Sequence, residues 1–271
     1  MDIDGTLTPP REPLLKEMAV ALGQLKVPFH VAAGSDLTLV ESQFLRPLYE
    51  FGFRKDFEAF LTNGATHYHC PFASRYVIEV VDAFDFRRHL GDADFNLLVE
   101  TLKGILAAPE FQLPPPLRVI GDQIIPRGAA LNCAPIGRTK GDLTEEMLRN
   151  RKAFAEFDKG SGYRRRILDL IQERLGRLVR EKGLRVTLGG ETSFDFVIDG
   201  KDKTNAVRTM RQRGVKQFVF LGDALFPGGN DGVMLEYIRD WTGPGPCPLE
   251  AIRVDGWQHT IAVCRERGWL D

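Results

Sequence analysis

Both ends of the chain alternate short apolar strands with amphipathic helices, and this alternation is the feature that most restricts the fold. Residues 27–33 and 57–61 are predicted to form buried strands, each followed by a polar turn. After position 200 the pattern returns, with a predicted helix over 204–213 and a predominantly apolar strand over 217–221. Such alternation is typical of βαβ units with a parallel sheet, in which ligands bind at the carboxyl ends of the strands.

The middle of the chain has a different pattern. Two predicted strands, over 118–125 and 129–134, flank a turn and precede a basic helical region over 144–182. Two more strands follow, joined through glycines. We therefore predict an α/β core made from both ends, residues 1–85 and 197–271, and an inserted α+β cap domain over residues 86–196.

Composition restricts the class of protein. The 271 residues are 43% hydrophobic and 27% charged, as in an ordinary globular protein, and provide material for one large or two ordinary domains. The net charge of −1 gives no electrostatic footprint for nucleic acid or an anionic membrane. No apolar run approaches a membrane span and no signal peptide is evident, so we expect a cytoplasmic enzyme. The four cysteines are too far apart in sequence to indicate a zinc site or a disulfide framework.

The first eight residues, MDIDGTLT, place two carboxylates two positions apart and follow them with a glycine and a hydroxyl. On a continuing strand Asp2 and Asp4 would point the same way, and Gly5 would permit a tight turn close to a ligand. This arrangement could hold a cation and a phosphate, although an Asp-rich turn without chemistry is the alternative. A carboxylate at a strand end is expected to follow about five apolar residues, so we hypothesise that the native chain begins upstream of Met1 and supplies the first core strand.

Further polar side chains follow other predicted strands. Ser35 comes after the strand over 27–33, and Asp223 after that over 217–221, with Asp231 eight residues later; Lys203 opens the preceding helix. Clustered carboxylates suit Mg²⁺, and a hydroxyl and a lysine suit phosphate oxygens. Taken singly, Ser35 could be a helix N-cap, Asp223 a turn residue and Lys203 a solvated charge.

Several segments together resemble a known family. DIDGT, AGSD, the lysine in DGKDK and GDALFPGGND resemble the four motifs of the haloacid dehalogenase (HAD) superfamily of phosphotransferases. The wider segments DIDGTLTPPR, RHLGDA, PRGAALNCAPIGR and GGETSFDFVIDGKDK are similar, in the same order, to signature segments of the eukaryotic-type phosphomannomutases. The resemblance covers nearly the whole chain and implies a HAD-like Rossmannoid core with an inserted cap.

The resemblance also implies a role for each matching residue of the core. Asp2 would be the nucleophile that forms an aspartyl-phosphate, and Asp4 the general acid and base. Ser35 and Lys203 would bind the oxygens of the transferring phosphoryl group. Metal ligands would come from Asp2, Asp4, Asp223 and Asp231, which would hold Mg²⁺.

For the substrate, the resemblance implies a set of basic and polar residues. Arginines would bind the distal phosphate, because the planar guanidinium binds phosphate through two hydrogen bonds; a solvated basic face is the alternative. Ser193 and Asp195 would bind sugar hydroxyls. The arginines concerned are Arg11, Arg127, Arg138 and Arg151.

The implied activity is Mg²⁺-dependent interconversion of hexose 6-phosphate and hexose 1-phosphate, with mannose preferred and a hexose 1,6-bisphosphate as activator. Hydrolysis of a sugar phosphate by the same residues is the first alternative, and a catalytically silent sugar-phosphate binding protein is the second. We expect a small sugar phosphate as partner, with no nucleic acid and no membrane; a homodimer stays open.

Overall fold

The computed structural model describes residues 1–10, 12–139, 144–189, 191–226 and 229–271. The described chain divides into two compact units, one formed by Met1–Ala83 with Gly200–Asp271 and the other by Phe84–Asp199. We refer to them as the core unit and the inserted unit. Among the described residues, no helix combines the length and the apolar character needed to cross a bilayer.

The helices and strands follow one another along the chain in three segments. The first segment contains α1 (Lys16–Gln24), β1 (Val31–Ala32), α2 (Leu37–Val40), α3 (Arg46–Glu50), β2 (Asp56–Leu61), β3 (Thr66–Pro71) and β4 (Glu79–Ala83). The inserted unit contains α4 (Phe86–Leu90), α5 (Asp92–Ala107), β5 (Asp122–Pro126), β6 (Leu131–Arg138), α6 (Glu145–Ser161), α7 (Tyr163–Arg174), α8 (Gly176–Lys182), β7 (Leu184–Gly189) and β8 (Ser193–Ile198). The last segment contains α9 (Thr204–Gln212), β9 (Phe218–Gly222), α10 (Gly232–Arg239), β10 (Leu249–Arg253) and α11 (Trp257–Glu266).

Two sheets form the centre of the core unit. Strand β1 pairs in parallel with β2, which continues antiparallel into β3 and β4, and β9 pairs in parallel with β10. The first two residues link the two sheets: the Asp2 N–H donates to the Leu221 carbonyl (2.9 Å), and the Ala32 N–H donates to the Met1 carbonyl (2.9 Å). The backbone at Asp2 therefore lies between a strand from each end of the chain.

Strands β3 and β4 are not predicted by the sequence. The segment THYHCP of β3 contains two histidines and a tyrosine, and the five residues of β4 are all exposed, so neither has the apolar pattern of a core strand. Their positions come from pairing with β2, since Leu61 faces Thr66 across a turn that contains Asn63 and Gly64.

The helical segment between β1 and β2 is interrupted. A turn of π-helix over Glu41–Leu45 separates α2 from α3, and Pro47 lies in the first turn of α3. Proline has no N–H to donate to the carbonyl four residues earlier, that of Gln43. This carbonyl instead accepts from the Leu14 N–H (2.8 Å), so the break attaches the helix to the segment before α1.

Each unit has its own hydrophobic core. In the core unit, Phe29, Phe53, Phe57 and Phe72 pack edge-on and stacked at centroid separations of 5.0–5.7 Å. In the inserted unit the antiparallel sheet has the order β5-β6-β8-β7. Its core is formed by side chains from both strands and helices, among them Phe154, Tyr163, Ile171, Phe194 and Phe196.

The basic helical region predicted over 144–182 forms three helices rather than one. Gly162 separates α6 from α7 and adopts a left-handed conformation with φ of 62°, which other L-residues adopt at a cost. Within this region the sequence spaces four apolar positions for one buried helical face, and all four are buried: Leu168, Ile171, Leu175 and Leu178.

Candidate functional site

Asp2 is held by backbone hydrogen bonds at the carboxyl end of β9 and is almost completely buried, with 2% of its surface exposed. Its Oδ1 atom lies 2.8 Å from the Lys203 ammonium. No residue that the structure describes forms a hydrogen bond with the buried Oδ2 atom. A buried carboxylate oxygen without a partner is costly unless a ligand or cation occupies the space beside it.

Lys203 lies at the start of α9 and is fully buried at 0% exposure. Its Nζ atom is 2.6 Å from Asp231 Oδ1 as well as 2.8 Å from Asp2 Oδ1. The turn after β2 fixes this end of the helix, because Asn205 donates to the Gly64 carbonyl (2.7 Å). The sequence had left open a solvated lysine at this position, and the burial excludes that alternative.

Asp223 and Asp231 complete a group of carboxylates. Asp231 precedes α10 and accepts from the Ala224 N–H through Oδ2 (3.2 Å). The backbone of Gly5, with φ of 72°, passes close to Asp223; a Cβ atom built on Gly5 would lie 2.6 Å from Asp223 Oδ2. Only glycine therefore allows the loop after Asp4 and the Asp223 carboxylate to approach each other in this way.

These carboxylates form a group suited to a metal ion. Asp2, Asp223 and Asp231 each offer one oxygen, and the three oxygens lie within 4.8 Å of one another. Three carboxylates and one ammonium leave two uncompensated negative charges, which a divalent cation would neutralise. Hard oxygen donors and the unpartnered Asp2 Oδ2 fit Mg²⁺, which binds carboxylates and retains positions for water and phosphate.

Burial and charge act together on the pKa values of this group. Burial raises the pKa of Asp2 to about 6; the Lys203 ammonium opposes this rise and the Asp231 carboxylate adds to it. Burial raises the pKa of Asp223, again with a contribution from Asp231. Burial alone would lower the pKa of Lys203, but the neighbouring Asp2 and Asp231 carboxylates raise it above its ordinary value. The lysine therefore stays charged at neutral pH.

Asp4 and Ser35 lie on loops next to this group. The backbone of Asp4 pairs with that of Thr8 in an isolated bridge, so the chain turns back directly after the second carboxylate. The carbonyl of Ser35 accepts from the Thr62 N–H (2.8 Å), which joins the turns after β1 and β2. The N-cap of α2 is Asp36, whose side chain accepts from the Leu39 N–H (3.0 Å), so the hydroxyl of Ser35 is not used as the cap.

Two asparagines near Ser35 were not predicted as site residues. A Cβ atom built on Gly34 would lie 3.1 Å from Asn63 Oδ1 and 3.9 Å from Asn230 Nδ2, so both amides lie beside this turn. Asn63 lies in the turn after β2 and adopts a positive φ of 54°. The only sequence signal for the pair is their position directly after, or close to, the end of a strand.

The inserted unit brings part of the predicted substrate group together. Arg138, at the end of β6, donates from Nη2 to Ser193 Oγ (3.0 Å), and Ser193 donates to the Gly189 carbonyl (2.7 Å). Asp195 lies on the same strand as Ser193. The other arginines lie elsewhere: Arg127 is exposed in the turn between β5 and β6, Arg151 is on α6, and Arg11 lies outside the described residues.

Two further residues contact this group and were not predicted. Asn132 on β6 donates from Nδ2 to Asp195 Oδ1 (2.6 Å). Arg164 on α7 is buried, pairs with Asp158 through Nε (2.8 Å) and donates from Nη1 to the Ser193 carbonyl (3.2 Å). Asn132 and Arg164 lie in segments that the sequence assigned to a strand and a helical region without a functional role. Asn132 joins the group because its strand pairs with that of Asp195.

Comparison with protein families gives one model, described as eukaryotic phosphomannomutase, that matches residues 17–241. The phosphomannomutase of Schizosaccharomyces pombe is 32% identical over 236 residues, which cover 85% of this chain and 81% of the fission yeast protein. Human phosphomannomutase 1 is 31% identical over 268 residues, which cover 98% of this chain and 89% of the human protein.

Solved structures of lower sequence similarity share the fold. A structure of the IMP-nucleotidase of Plasmodium falciparum with IMP bound matches with a TM-score of 0.59 at 12% identity, over 97% of this chain and 66% of the nucleotidase chain. A trehalose-6-phosphate phosphatase of Aspergillus fumigatus matches with a TM-score of 0.53 at 13% identity, over 98% and 89% of the two chains. The HAD-like α/β fold class predicted from the sequence is confirmed by these likenesses.

Proposed function

We propose that this chain, which belongs to the eukaryotic phosphomannomutase family, interconverts hexose 6-phosphate and hexose 1-phosphate, with mannose preferred. The observation that carries the proposal is the buried group at the end of β9. There Lys203 bridges Asp2 and Asp231, and Asp223 completes three carboxylates within reach of one cation. This group has the nucleophile, the fixed positive charge and the metal ligands that phosphoryl transfer needs.

In the proposed reaction, a carboxylate oxygen of Asp2 attacks one phosphorus of the hexose 1,6-bisphosphate, so the sugar keeps its other phosphate. The P–O bond to the sugar breaks, and Asp4 protonates the departing sugar oxygen. In the reverse direction Asp4 removes the proton of a sugar hydroxyl as this hydroxyl attacks the phosphorus of phosphorylated Asp2. The charged Lys203 and the hydroxyl of Ser35 hold the phosphoryl oxygens during both transfers.

A bound Mg²⁺ ion, held by the carboxylates of Asp2, Asp223 and Asp231 and by the Asp4 carbonyl, would neutralise charge on the transferring group. The buried oxygens supplied by these residues and the unpartnered Asp2 Oδ2 support this part of the proposal. The proposal also includes a hexose 1,6-bisphosphate as activator, because the sugar must accept a second phosphoryl group before it gives up the first.

Binding of the sugar is proposed for the inserted unit, in the role of a substrate-specificity cap. Arg138 and Ser193 already contact each other, and an arginine beside a hydroxyl has the donors that a second phosphate requires. Arg11, Arg127 and Arg151 are proposed to contribute to the same phosphate, and Asp195 to accept from a sugar hydroxyl. A cytoplasmic location and a homodimer remain parts of the proposal that need separate tests.

The test is to incubate the purified 271-residue chain with mannose 1-phosphate, Mg²⁺ and a catalytic amount of hexose 1,6-bisphosphate. Formation of mannose 6-phosphate, absent in Asp2→Asn and present in the exposed control Asp240→Asn, is the expected result. Free mannose and phosphate would instead identify a phosphatase. Binding of the sugar phosphate without turnover would identify a silent binding protein.

The role of Arg138 separates a mutase from a phosphatase. Arg138→Ala is expected to abolish mutase turnover but to spare slow hydrolysis of a small phosphate ester, because only the sugar substrate has a second phosphate. Arg165→Ala, which removes an exposed arginine paired with Asp169, is the matched control in the same unit. Equal loss of both activities in Arg138→Ala would contradict the proposed contact with the distal phosphate.

A further inference from the structure

Asn132 occupies a central position in the sheet of the inserted unit. It lies on β6 directly opposite Asp195 on β8, and 1% of its surface is exposed. Its Nδ2 atom donates to Asp195 Oδ1 (2.6 Å) and to the Phe194 carbonyl (3.1 Å). Asn132 is therefore in direct contact with the carboxylate proposed to accept from the sugar.

The orientation of the Asn132 amide follows from its partners. Both partners of Nδ2 are acceptors, so the NH₂ group must point towards Asp195 and the oxygen away from it. The oxygen Oδ1 is buried and has no hydrogen-bond partner among the residues that the structure describes. A buried carbonyl oxygen without a hydrogen-bond partner destabilises the folded state. The orientation of Asn132 therefore favours its two N–H donors over its carbonyl oxygen.

A glycine restricts the Asp195 carboxylate from another side. A Cβ atom built on Gly189, at the end of β7, would lie 2.5 Å from Asp195 Oδ2 and 2.9 Å from Ser193 Oγ. The space that a side chain at position 189 would occupy is filled by these two polar groups. The carboxylate is thus fixed between the amide of Asn132 on one neighbouring strand and the bare backbone of Gly189 on the other.

Arg138 and Arg164 fix the other member of the pair, Ser193. Arg138 Nη2 donates to its Oγ atom (3.0 Å), and Arg164 Nη1 donates to its carbonyl (3.2 Å). Asn132 instead contacts the Asp195 carboxylate itself, through the hydrogen bond from Nδ2 to Oδ1.

We propose that Asn132 is a positioning residue for sugar recognition. Its amide holds Asp195 Oδ1 and leaves Oδ2, beside Gly189, to accept a hydrogen bond from a hydroxyl of the hexose. The inference rests on the proposed function, since it assigns a purpose to the sugar-binding group. It does not place Asn132 in contact with the substrate.

Replacement by aspartate tests the role of the amide without changing the size of the side chain. Asn132→Asp places a second carboxylate beside Asp195, so the two oxygens repel each other and Asp195 turns from its bound position. We expect KM for mannose 1-phosphate to rise about tenfold, which corresponds to one lost hydrogen bond to a charged group. Hydrolysis of p-nitrophenyl phosphate, which has no sugar, is expected to keep its wild-type rate.

The pH dependence of this defect distinguishes positioning from a general structural effect. Two carboxyls in contact share a proton at a raised apparent pKa. Once the pair holds this proton, the introduced carboxyl donates to Asp195 and replaces the lost amide. The KM of Asn132→Asp relative to wild type is therefore expected to recover as the pH falls from 8 to 6. Asn96→Asp, which makes the same change at an exposed position on α5, is the control and is expected to match wild type.

Gly189→Ala tests the opposite side of the carboxylate and decides the question if Asn132→Asp does not fold. Its methyl group would displace Asp195, so KM for mannose 1-phosphate is expected to rise while ester hydrolysis is retained; Gly104→Ala, where nothing lies within 4 Å, is the control. A wild-type chain without mutase activity would overturn the proposed function. An active wild type combined with an unchanged KM in the variants, or with a defect in Asn132→Asp that does not vary with pH, would overturn the role of Asn132.

Discussion

The charged ammonium of Lys203 is fully buried, and two neighbouring carboxylates stabilise it there. The carboxylates of Asp2 and Asp231 lie within 2.8 Å of its Nζ atom. A buried charge is stable only when it is paired and hydrogen-bonded, and removal of one partner leaves the other uncompensated. The lysine is therefore part of the stability of the core unit as well as of its proposed chemistry.

Replacing this lysine with an uncharged residue is expected to lower the stability of the core unit. In Lys203→Met, two buried carboxylates lose their only described cation, and the free energy of unfolding is expected to fall by about 3–5 kcal/mol. Urea denaturation at pH 7 with EDTA present measures the loss. Lys216→Met removes an exposed lysine after α9 and is expected to change stability by less than about 0.5 kcal/mol. Similar values for the two variants would contradict the structural role.

The carboxylate group also predicts a response to metal. Mg²⁺ is expected to raise the midpoint of thermal unfolding, because a ligand that binds only the folded chain stabilises that state. At a concentration a hundred times its Kd, such a ligand raises the free energy of unfolding by about 2.7 kcal/mol. Asp223→Asn, which removes one of the three carboxylates, is expected to lose most of this rise, whereas Asp240→Asn keeps it. Calorimetry with and without EDTA checks both; an unchanged rise in Asp223→Asn would count against the metal site.

The sequence predicts that the site includes Asp2, Lys203, Asp223 and Asp231. The aspartates are assigned to the ends of strands and the lysine to the start of a helix, and these positions meet at one edge of a parallel sheet. It did not find Asn132. The reason is that a single asparagine within an apolar strand has no periodic signal, and its contact with Asp195 depends on the register of two strands 63 residues apart. The chemical roles of these residues remain predictions.

At the scale of the elements, prediction succeeded where an element has its own pattern. The four apolar positions over 168–178 predicted one buried helical face, and all four are buried. Strand β4 has no such pattern, since it is defined by its pairing with β3. The break between α2 and α3 could have been predicted from Pro47, but the hydrogen bond from the Leu14 N–H to the Gln43 carbonyl depends on tertiary structure.

Helix α5 contains a glycine that no contact requires. Gly104 lies near the end of this helix and has no positive φ; apart from its chain neighbours and the adjacent helix backbone, no atom of the described residues lies within 4 Å of a built Cβ. Gly104→Ala is expected to stabilise the chain by about 0.5–1 kcal/mol, because alanine restricts the unfolded chain without strain in the helix. Gly121→Ala is the contrasting variant, since its Cβ would lie 2.3 Å from the Arg138 carbonyl. Urea denaturation of both variants checks the signs; destabilisation by Gly104→Ala would contradict the assignment.

At the scale of the whole molecule, the family resemblance found in the motifs is confirmed, and so is the HAD-like fold. The alternation of strands and helices indicated that both ends of the chain build one sheet region, and the pairings at Met1 and Asp2 show how they meet. The hydrogen bond from the Glu58 N–H to the His30 ring could not be predicted from the sequence, because it depends on the pairing of neighbouring strands and has no sequence motif.

His30 makes the stability of the core unit sensitive to acid. Burial, with a smaller contribution from the Met1 amino group, lowers the pKa of His30 to about 4, and its Nδ1 atom accepts from the Glu58 N–H (3.0 Å). The unfolded chain takes up a proton near pH 6.5 and the folded chain only near 4. The stability contributed by neutral His30 is therefore full above pH 6.5 and lost as the pH falls towards 4, by at most about 1.4 kcal/mol per pH unit.

The difference in unfolding free energy between wild type and His30→Gln is expected to shrink over this range, measured by urea denaturation at pH 7, 5.5 and 4.5. Comparing the two proteins cancels the contribution of Asp2, whose raised pKa acts with the opposite sign. His259→Gln is the matched control, because this exposed ring also accepts a backbone hydrogen bond, from Asp255 (3.2 Å). The same pH dependence in both variants would contradict the role of His30.

The construction of the core unit from both ends of the chain has a consequence for synthesis on the ribosome. Asp2 leaves the exit tunnel about two hundred residues before its partners at 203, 223 and 231. The inserted unit, which is continuous in sequence, is complete before these partners exist. Domains generally fold as units during translation, so the Asp2 carboxylate lacks these buried partners until the segment that contains residues 203–231 has been synthesised.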